Sequence, residues 1–188
     1  MQVESLTIPS VKLFTPTVFR DERGYFVETF SKRAFMEGAD IPATDMEFVQ
    51  DNQSFSVSRG TLRGLHYQAP PFAQGKLVRV LSGSIYDVAV DVRRNSPTYG
   101  RWVSAELSSE AANQLWVPPG FLHGFVTLVP NVTVAYKVTA YYDKKSDGGV
   151  LWSDPDIGIE WPALDISFVL SEKDANAPRF KDFISPFD

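Results

Sequence analysis

Short runs of β-branched and aromatic residues, separated by turn-forming residues, constrain this fold more than any other feature of the sequence. Residues 76–80 and 84–92 are two such runs, with a turn around Ser82 and Gly83 between them. Residues 23–30, 101–107, 124–129 and 132–142 have the same character. Runs of this kind between Gly, Pro, Asn and Asp indicate antiparallel strands in a sandwich or barrel. The 13 prolines argue against long helices.

Helices are expected to be few and short. Residues 31–37 predict a helix of two turns, with Ser31 as its N-cap and Gly38 just past its end. Residues 108–114 predict one or two further turns. The chain has no internal repeat, low-complexity tract or linker, so we expect one domain over residues 1–188. The predicted fold is all-β, an antiparallel double-sheet jelly roll whose cavity between the sheets is available to a ligand.

Composition excludes several classes of function. With 44% apolar and 22% charged residues in 188, the chain is typical of a globular protein with a real core. A net charge of −5 gives no nucleic-acid footprint, so an anion must be bound by locally placed Arg and Lys. The absence of cysteine excludes disulfides, thiol nucleophiles and thiolate metal sites. With no secretory signal and no membrane-length apolar run, we expect a cytoplasmic protein without nucleic-acid or membrane partners.

The chain has only two histidines, and each lies in an unusual setting. His66 lies in LRGLHYQ, three residues after Arg63, and His123 follows a Pro-Pro-Gly turn in VPPGFLHGF. On a strand, the period of two would put Gly64, His66 and Gln68 on one face. Either histidine taken alone is equally consistent with a hydrogen-bonded core or surface residue.

The P-x-G-x-x-H motif that ends at His123 resembles the second signature of the cupin superfamily, whose jelly rolls often hold metals. The first cupin signature carries H-x-H followed by a carboxylate, whereas residues 66–68 read HYQ and lack the second histidine. Catalytic zinc and iron sites usually have three protein ligands. We therefore predict no metal, which leaves a histidine in the pocket free to act as a base.

Other residues have the chemistry to work with such a base. Tyr136 in VAYKVT could donate a proton, and Asp174 in LSEKDANAP could orient a histidine by accepting its second ring N–H. Taken singly, Tyr136 is equally consistent with a packed strand aromatic and Asp174 with a cap. Guanidinium and ammonium groups pair well with phosphate oxygens. Four basic residues are therefore candidates to bind a diphosphate, although each could also be solvated surface: Arg23, Arg63, Lys76 and Lys173.

Over nearly its whole length the sequence resembles the dTDP-4-dehydrorhamnose 3,5-epimerase family. LRGLHYQ (62–68) and WVPPGFLHGFVTL (116–128), in this order and spacing, are the most specific stretches. The others are FRDERGYFVETF, FVQDNQSFS, QGKLVRV, DVAVDVRRNSPTYG, YKVTAYY, WSDPDIGIEWP and LSEKDANAP. The resemblance implies a cupin-type jelly roll, usually a homodimer, that uses no metal or organic cofactor. It also implies that the N-terminal strands meet the partner subunit, so we expect residues of the first thirty near the partner's pocket.

The resemblance also implies roles for individual residues. His66 matches the catalytic base, Asp174 its carboxylate partner, Tyr136 the general acid on the other side of the sugar, and Lys76 the cation that stabilises the enolate. Asp147 stands where many relatives have glutamate. The positions implied to contact the sugar nucleotide are Arg23, Phe26, Glu28, Gln50, Asn52, Arg63, His123, Tyr142, Asp147 and Lys173.

The implied activity is epimerisation of a dTDP-linked 4-keto-6-deoxyhexose. A C–H bond next to a ketone is acidified because the anion spreads onto the ketone oxygen, and a histidine near neutrality is a suitable base. Protons at both C3 and C5 meet that condition, so the expected reaction inverts one or both centres. A single-centre epimerase is the main alternative. A metal-dependent cupin enzyme and a non-catalytic carbohydrate-binding jelly roll are the others.

Overall fold

The computed structural model describes residues 1–39 and 47–188, and strands dominate it. In spatial order, the first of its two main sheets consists of β1 (Gln2–Ser5), β2 (Lys12–Thr15), β10 (Gln114–Val117), β7 (Lys76–Ser82), β12 (Val132–Val138) and β5 (Gln50–Ser56). The second consists of β13 (Asp147–Gly149), β6 (Leu62–Gln68), β11 (Phe121–Thr127), β8 (Ser84–Asp91) and β9 (Trp102–Ser108).

A separate hairpin of β3 (Val18–Asp21) and β4 (Gly24–Val27) forms a two-stranded sheet of its own. All the pairings between these strands are antiparallel. The predicted all-β antiparallel double-sheet fold is therefore confirmed.

The largest part of the core lies between the two main sheets. Val78 and Val80, two positions apart on β7, turn the same face inward and are almost fully buried. They belong to one apolar cluster with Ile85 and Ala89 of β8 and Phe125 of β11, which come from the facing sheet. The period of two in the sequence thus records which side of each strand faces the opposite sheet.

The first predicted helix is present as α1 (Lys32–Ala39). Ser31 caps it, because its Oγ accepts a hydrogen bond from the backbone N–H of Ala34 at 3.4 Å. The helix continues one residue beyond Gly38, which lies inside it rather than past its end. Its buried face carries Phe35, whose ring stacks on Phe14 of β2 at 4.6 Å between centroids.

The prediction of a second helix over residues 108–114 is wrong. Ser108 ends β9 and Gln114 begins β10, so these residues form the turn that carries the chain from one sheet to the other. Side chains satisfy the turn backbone: Ser108 Oγ accepts from the N–H of Ala111 at 3.1 Å, and Asn113 Oδ1 accepts from the N–H of Ser108 at 3.0 Å. Ala112 has φ of +54°, which a continuing helix does not allow.

The C-terminal residues return to the second sheet after α2 (Glu172–Ala175) and a 3₁₀ turn at Phe180–Asp182. Phe183 and Phe187 pack on the ring of Tyr67 at centroid distances of 5.3 and 5.9 Å. Tyr67 is the neighbour of His66 on β6, so this segment supports the strand that carries the histidine. Neither α1 nor α2 has the length and apolarity needed to cross a membrane, and the described chain contains no other α-helix.

Candidate active site

Two adjoining cavities open from the space between the main sheets, with volumes of about 390 and 380 Å³. The inner cavity is lined by β5, β7 and β12 of the first sheet, by β6 and β11 of the second, and by α2. The outer cavity is bounded by the loop after β12 and by β13. Residues that line both cavities mark where they meet: His66, Lys76, Tyr136 and Lys173.

His66 forms a pair with a buried carboxylate in the inner cavity. Its Nε2 lies 2.5 Å from Oδ1 of Asp174, a residue that is only 4% exposed. Burial by itself raises the pKa of Asp174, but the hydrogen bond and charge of His66, with the N–H of Gly64, outweigh burial and hold the pKa below its usual value. A carboxylate held ionised in this way fixes the tautomer and the orientation of the imidazole.

The short helix α2 explains how Asp174 reaches the histidine. Ser171 is the N-cap of α2, and its Oγ accepts a hydrogen bond from the backbone N–H of Asp174 at 3.1 Å. The cap thereby fixes the backbone of Asp174 while its side chain extends toward β6. An acid three residues after a serine was a visible signal for this cap, but we did not predict Ser171 as part of the site.

A β-bulge in β6 brings Arg63 and His66 to the same cavity. His66 is paired with His123 and Arg63 with Phe125, so two residues of β6 stand opposite one of β11. Arg63 and His66 are three positions apart, yet both line the inner cavity. The simple alternation predicted for residues 64, 66 and 68 is therefore interrupted at the bulge.

Glycine is required at the bulge. Gly64 has φ of +135°, and a Cβ placed there would lie 2.6 Å from the Cα of Gly124 on the neighbouring strand. No other residue combines this backbone conformation with so close an approach of two strands. The glycine in LRGLHYQ thus helps to position His66, although it lines neither of the two cavities.

Lys76 on β7 faces the histidines from the other sheet. Burial lowers the pKa of Lys76 to about 8, although the charges of Asp87 and Asp147 favour its ammonium form. Among the residues that the structure describes, no carboxylate forms an ion pair with Lys76. Its charge is therefore available to an oxygen that enters the cavity.

Tyr136 on β12 lines the same cavity from the first sheet. Burial raises the pKa of Tyr136, and the charge of Arg63 opposes that effect in part. The phenol is consequently neutral near pH 7 and able to donate a proton. Within the described ranges its hydroxyl has no hydrogen-bond partner, which leaves it free for a bound molecule.

Predicted binding residues gather in one network around the outer cavity. Gln50 donates to Asn52 at 2.8 Å and accepts from the backbone N–H of Tyr142 at 3.1 Å. Asp147 on β13 forms an ion pair with Lys173 at 2.5 Å and accepts a long hydrogen bond from the Tyr142 hydroxyl at 3.4 Å. The shorter side chain of Asp147 still reaches this network.

Gln68, the last residue of LRGLHYQ, organises the loops around the outer cavity and was not predicted to do so. Its amide donates to the carbonyls of Phe72 at 2.7 Å and Tyr141 at 3.1 Å, and its carbonyl accepts from the N–H of Asp143 at 2.7 Å. The bonds to Tyr141 and Asp143 hold the backbone on both sides of Tyr142, and the bond to Phe72 ties the loop after β6 to the same side chain.

His123 is nearly buried beside His66 and lines the inner cavity. Its Nε2 lies 2.7 Å from Oδ1 of Asp87, a fully buried residue of β8. Sequence reasoning did not single out Asp87. The only signal was its place at the start of DVAVDV, a stretch that is apolar apart from its two aspartates.

One chain does not bring the predicted N-terminal residues to the cavity. Arg23 lies in the turn of the β3–β4 hairpin, where its side chain is 83% exposed and pairs with Asp21. Phe26 on β4 is 70% exposed, and Glu28 follows that strand. None of Arg23, Phe26 and Glu28 lines either of the cavities described above.

Within residues 1–39 and 47–188, no group of three or more His, Cys, Asp or Glu side chains is placed to hold a metal ion. His66 and His123 are neighbours across β6 and β11, but each is already bonded to its own carboxylate.

Comparisons with known proteins find one and the same family over most of the chain. The family model described as dTDP-4-dehydrorhamnose 3,5-epimerase matches residues 5–182. A protein of that name from Sinorhizobium fredii is 54% identical over 178 residues, which cover 95% of this chain and 89% of the relative.

Solved structures share the fold. The dTDP-6-deoxy-D-glucose-3,5-epimerase RmlC from Legionella pneumophila, in complex with dTDP-4-keto-L-rhamnose, superposes with a TM-score of 0.89 at 43% identity, covering 96% of this chain and 93% of that one. ChmJ, a 3'-monoepimerase from Streptomyces bikiniensis in complex with dTDP-quinovose, gives a TM-score of 0.84 at 33% identity, covering 95% and 87%.

Proposed function

This chain belongs to the dTDP-4-dehydrorhamnose 3,5-epimerase family, and we propose that it converts dTDP-4-keto-6-deoxyglucose to dTDP-4-keto-rhamnose by inverting C3 and C5. The observation that carries the proposal is the single cavity onto which the His66–Asp174 pair, Lys76 and Tyr136 all open. The 54% identity of the chain to a relative named as a 3,5-epimerase supports the same reaction class, that of an isomerase.

In the proposed mechanism, His66 removes the proton from a carbon beside the C4 ketone. The electron pair of the broken C–H bond moves into the ring, and the negative charge develops on the ketone oxygen. The ammonium group of Lys76 stabilises that oxygen, because a preorganised cation is most effective where charge develops. Asp174 stabilises the imidazolium that forms on His66.

Tyr136 then donates its proton to the same carbon from the opposite face. The C–H bond forms again with inverted configuration, and the electron pair returns from oxygen to carbon and restores the ketone. His66 loses its proton and Tyr136 regains one by exchange with solvent, so no net proton or electron is consumed. C3 and C5 both flank C4, so one base and one acid serve both inversions in turn.

The substrate's anionic end fits the basic rim of the cavities. Arg63 lines the inner cavity, with its guanidinium held by Ser56 Oγ at 3.3 Å and the carbonyl of Phe55 at 3.1 Å. Lys173 lines both cavities. We assign the diphosphate to these two cations, and the nucleoside to the outer cavity with Gln50, Asn52, Tyr142 and Asp147.

We also propose that the working form is a homodimer in which the β3–β4 hairpin of one copy completes the pocket of the other. The hairpin exposes three aromatic side chains: Phe19 at 61%, Tyr25 at 63% and Phe26 at 70%. Exposed aromatic groups of this size typically mark an interaction surface. Arg23 and Glu28 would then reach the partner's nucleotide.

Mixing two defective variants tests the shared site. His66→Asn removes the base, and Arg23→Ala combined with Phe26→Ala weakens the hairpin. If hairpins are exchanged, a mixed dimer has one pocket with an intact base and an intact hairpin, so activity rises on mixing after subunit exchange. Each variant mixed with itself is the control. A monomer by light scattering at micromolar concentration contradicts the dimer.

Incubation with dTDP-4-keto-6-deoxyglucose in D₂O, followed by proton NMR, tests the reaction itself. The proposal predicts solvent deuterium at both C3 and C5 together with the rhamno product. Deuterium at one inverted carbon alone identifies the single-centre epimerase, the reaction class of ChmJ. No deuterium at either carbon contradicts epimerisation. Activity lost in EDTA and restored by a metal identifies the metal-dependent alternative.

Four expectations stay predictions from the sequence. They are the single-domain organisation, the cytoplasmic location, the lack of a cofactor, and the absence of nucleic-acid and membrane partners.

A further inference from the structure

A second His–Asp pair lies next to the one assigned to proton removal. His123 is directly opposite His66 across β6 and β11, and its Nε2 lies 2.7 Å from Oδ1 of Asp87. The proposed reaction uses His66 and Asp174, but it does not explain why a buried carboxylate is bonded to His123.

Asp87 is in an unusual environment for a carboxylate. It is 0% exposed and sits on β8, where Phe125 and Ala105 are its direct neighbours on the flanking strands. Its Oδ2 is buried and, among the described residues, has no hydrogen-bond partner. An ionised carboxylate in such a place is stabilised most by a positive charge on its other oxygen, which is where the imidazole of His123 lies.

We propose that Asp87 is a positioning residue that keeps His123 doubly protonated and turns its Nδ1–H toward the ketone oxygen of the substrate. The inference rests on the proposed epimerase function. Because Nε2 is held by Asp87, Nδ1 is the ring nitrogen left without a partner in the described part of the chain, and the ring lines the inner cavity. A neutral His123 in this orientation would present a lone pair there and could not donate.

The charges around the cavity agree with a donor at this point. Asp87 also favours the ammonium form of Lys76 on the facing sheet, so one buried carboxylate supports both positively charged donors proposed for the enolate oxygen. A donor aimed at that oxygen stabilises the transition state more than the bound ketone. The other ionisable groups that line the inner cavity are Arg63, His66, Tyr136, Lys173 and Asp174.

Asp87→Asn tests the role in turnover, since it keeps the size of the side chain and removes its charge. We expect kcat to fall about 100- to 1,000-fold, the usual effect of losing one hydrogen-bond donor to a developing oxyanion. KM should stay within about twofold, and deuterium wash-in at C3 and C5 should fall in parallel with kcat. A thermal melt of the variant shows whether the fold is retained.

Nitrogen NMR of histidine-labelled protein provides a readout that a purely structural role would not change. The chain has two histidines, so the spectrum contains two imidazoles, which a His66→Asn variant assigns. We expect the His123 ring to carry two protons at pH 7 in the unmodified protein and one in Asp87→Asn. Asp174→Asn is the matched control, because it should change the His66 signals and leave His123 doubly protonated.

The possible outcomes separate this inference from the proposed function. If the unmodified protein fails to turn over the nucleotide sugar, the proposed function fails, while the NMR still tests the pairing. A neutral His123 at pH 7 in the unmodified protein overturns the inference, even if Asp87→Asn does not fold. An Asp87→Asn enzyme with unchanged kcat also overturns it. So does a loss of activity no larger than the loss of folded protein seen in the thermal melt.

Discussion

The cavity between the sheets and the β3–β4 hairpin differ in how completely one chain builds them. The cavity is lined by His66 and His123 from one sheet and by Lys76 and Tyr136 from the other, so the two sheets of one chain build it together. Among the described strands, β3 and β4 pair only with each other, and the aromatic side chains of this hairpin are exposed. On our proposal, one chain supplies all the groups that act on the reacting carbons, whereas binding of the nucleotide uses residues of both copies.

The largest effect should come from the base in the cavity. We expect His66→Asn to lower kcat about 10⁴-fold, the upper end of the usual range for a general base, because no proton transfer can begin. Deuterium wash-in should disappear at both C3 and C5. Binding of dTDP, measured by calorimetry, should change less than about twofold, since the hairpin and the basic rim are untouched. Exchange near the unmodified rate would mean that another group is the base.

Tyr136→Phe should separate the two faces of the cavity. Removing the acid should lower inversion about 10²-fold. Some deuterium exchange should persist, because the proton can return to the same face from His66. NMR of recovered substrate measures both quantities in one sample. Loss of exchange as complete as in His66→Asn would contradict the assignment of Tyr136 as the acid.

Arg23→Ala in the hairpin should affect binding alone. If this guanidinium contacts the partner's bound nucleotide, KM should rise about tenfold while kcat stays within about twofold, the pattern of a lost ground-state contact. Arg63→Ala in the cavity is the matched comparison and should show the same pattern. An unchanged KM for Arg23→Ala would exclude the hairpin from the site. A loss of kcat for Arg63→Ala would place that residue at the reacting carbons.

The smallest effect should be a dependence on pH. With the pKa of Lys76 lowered to about 8, its ammonium form predominates below that value and is lost as the pH rises through it. We therefore expect kcat/KM, which reports on the free enzyme, to fall above about pH 8. Lys76→Arg should remove this decline, since arginine keeps its charge. A flat profile to pH 9.5 would mean that the Lys76 charge does not contribute.

Sequence patterns predicted the strands well, because alternation depends on which face of a strand is buried. Residues 76–80, 84–92, 101–107 and 124–129 fall largely on β7, β8, β9 and β11. The pattern failed at the turn over residues 108–114 and at the bulge at Gly64. Both depend on which strands are neighbours, and local sequence does not contain that information.

The site was less accessible to pattern reasoning than the fold. Periodicity could not pair His66 with Asp174, which are 108 positions apart, and only resemblance to a family joined them. Asp87 escaped both approaches, because the feature that distinguishes it is a buried oxygen with no hydrogen-bond partner among the described residues. Phe26 was predicted from the same resemblance and Arg23 from its charge as well, but in one chain neither lines the cavities.

The pairing of His66 with a residue so far along the chain also sets an order of events during synthesis. His66 leaves the ribosome first, and the carboxylate that orients it is added 108 residues later. At 5–20 residues per second, that interval is roughly 5 to 20 seconds. During that interval the imidazole of His66 has no Asp174 to orient it. On our proposal, the base is therefore oriented only once α2 docks on β6.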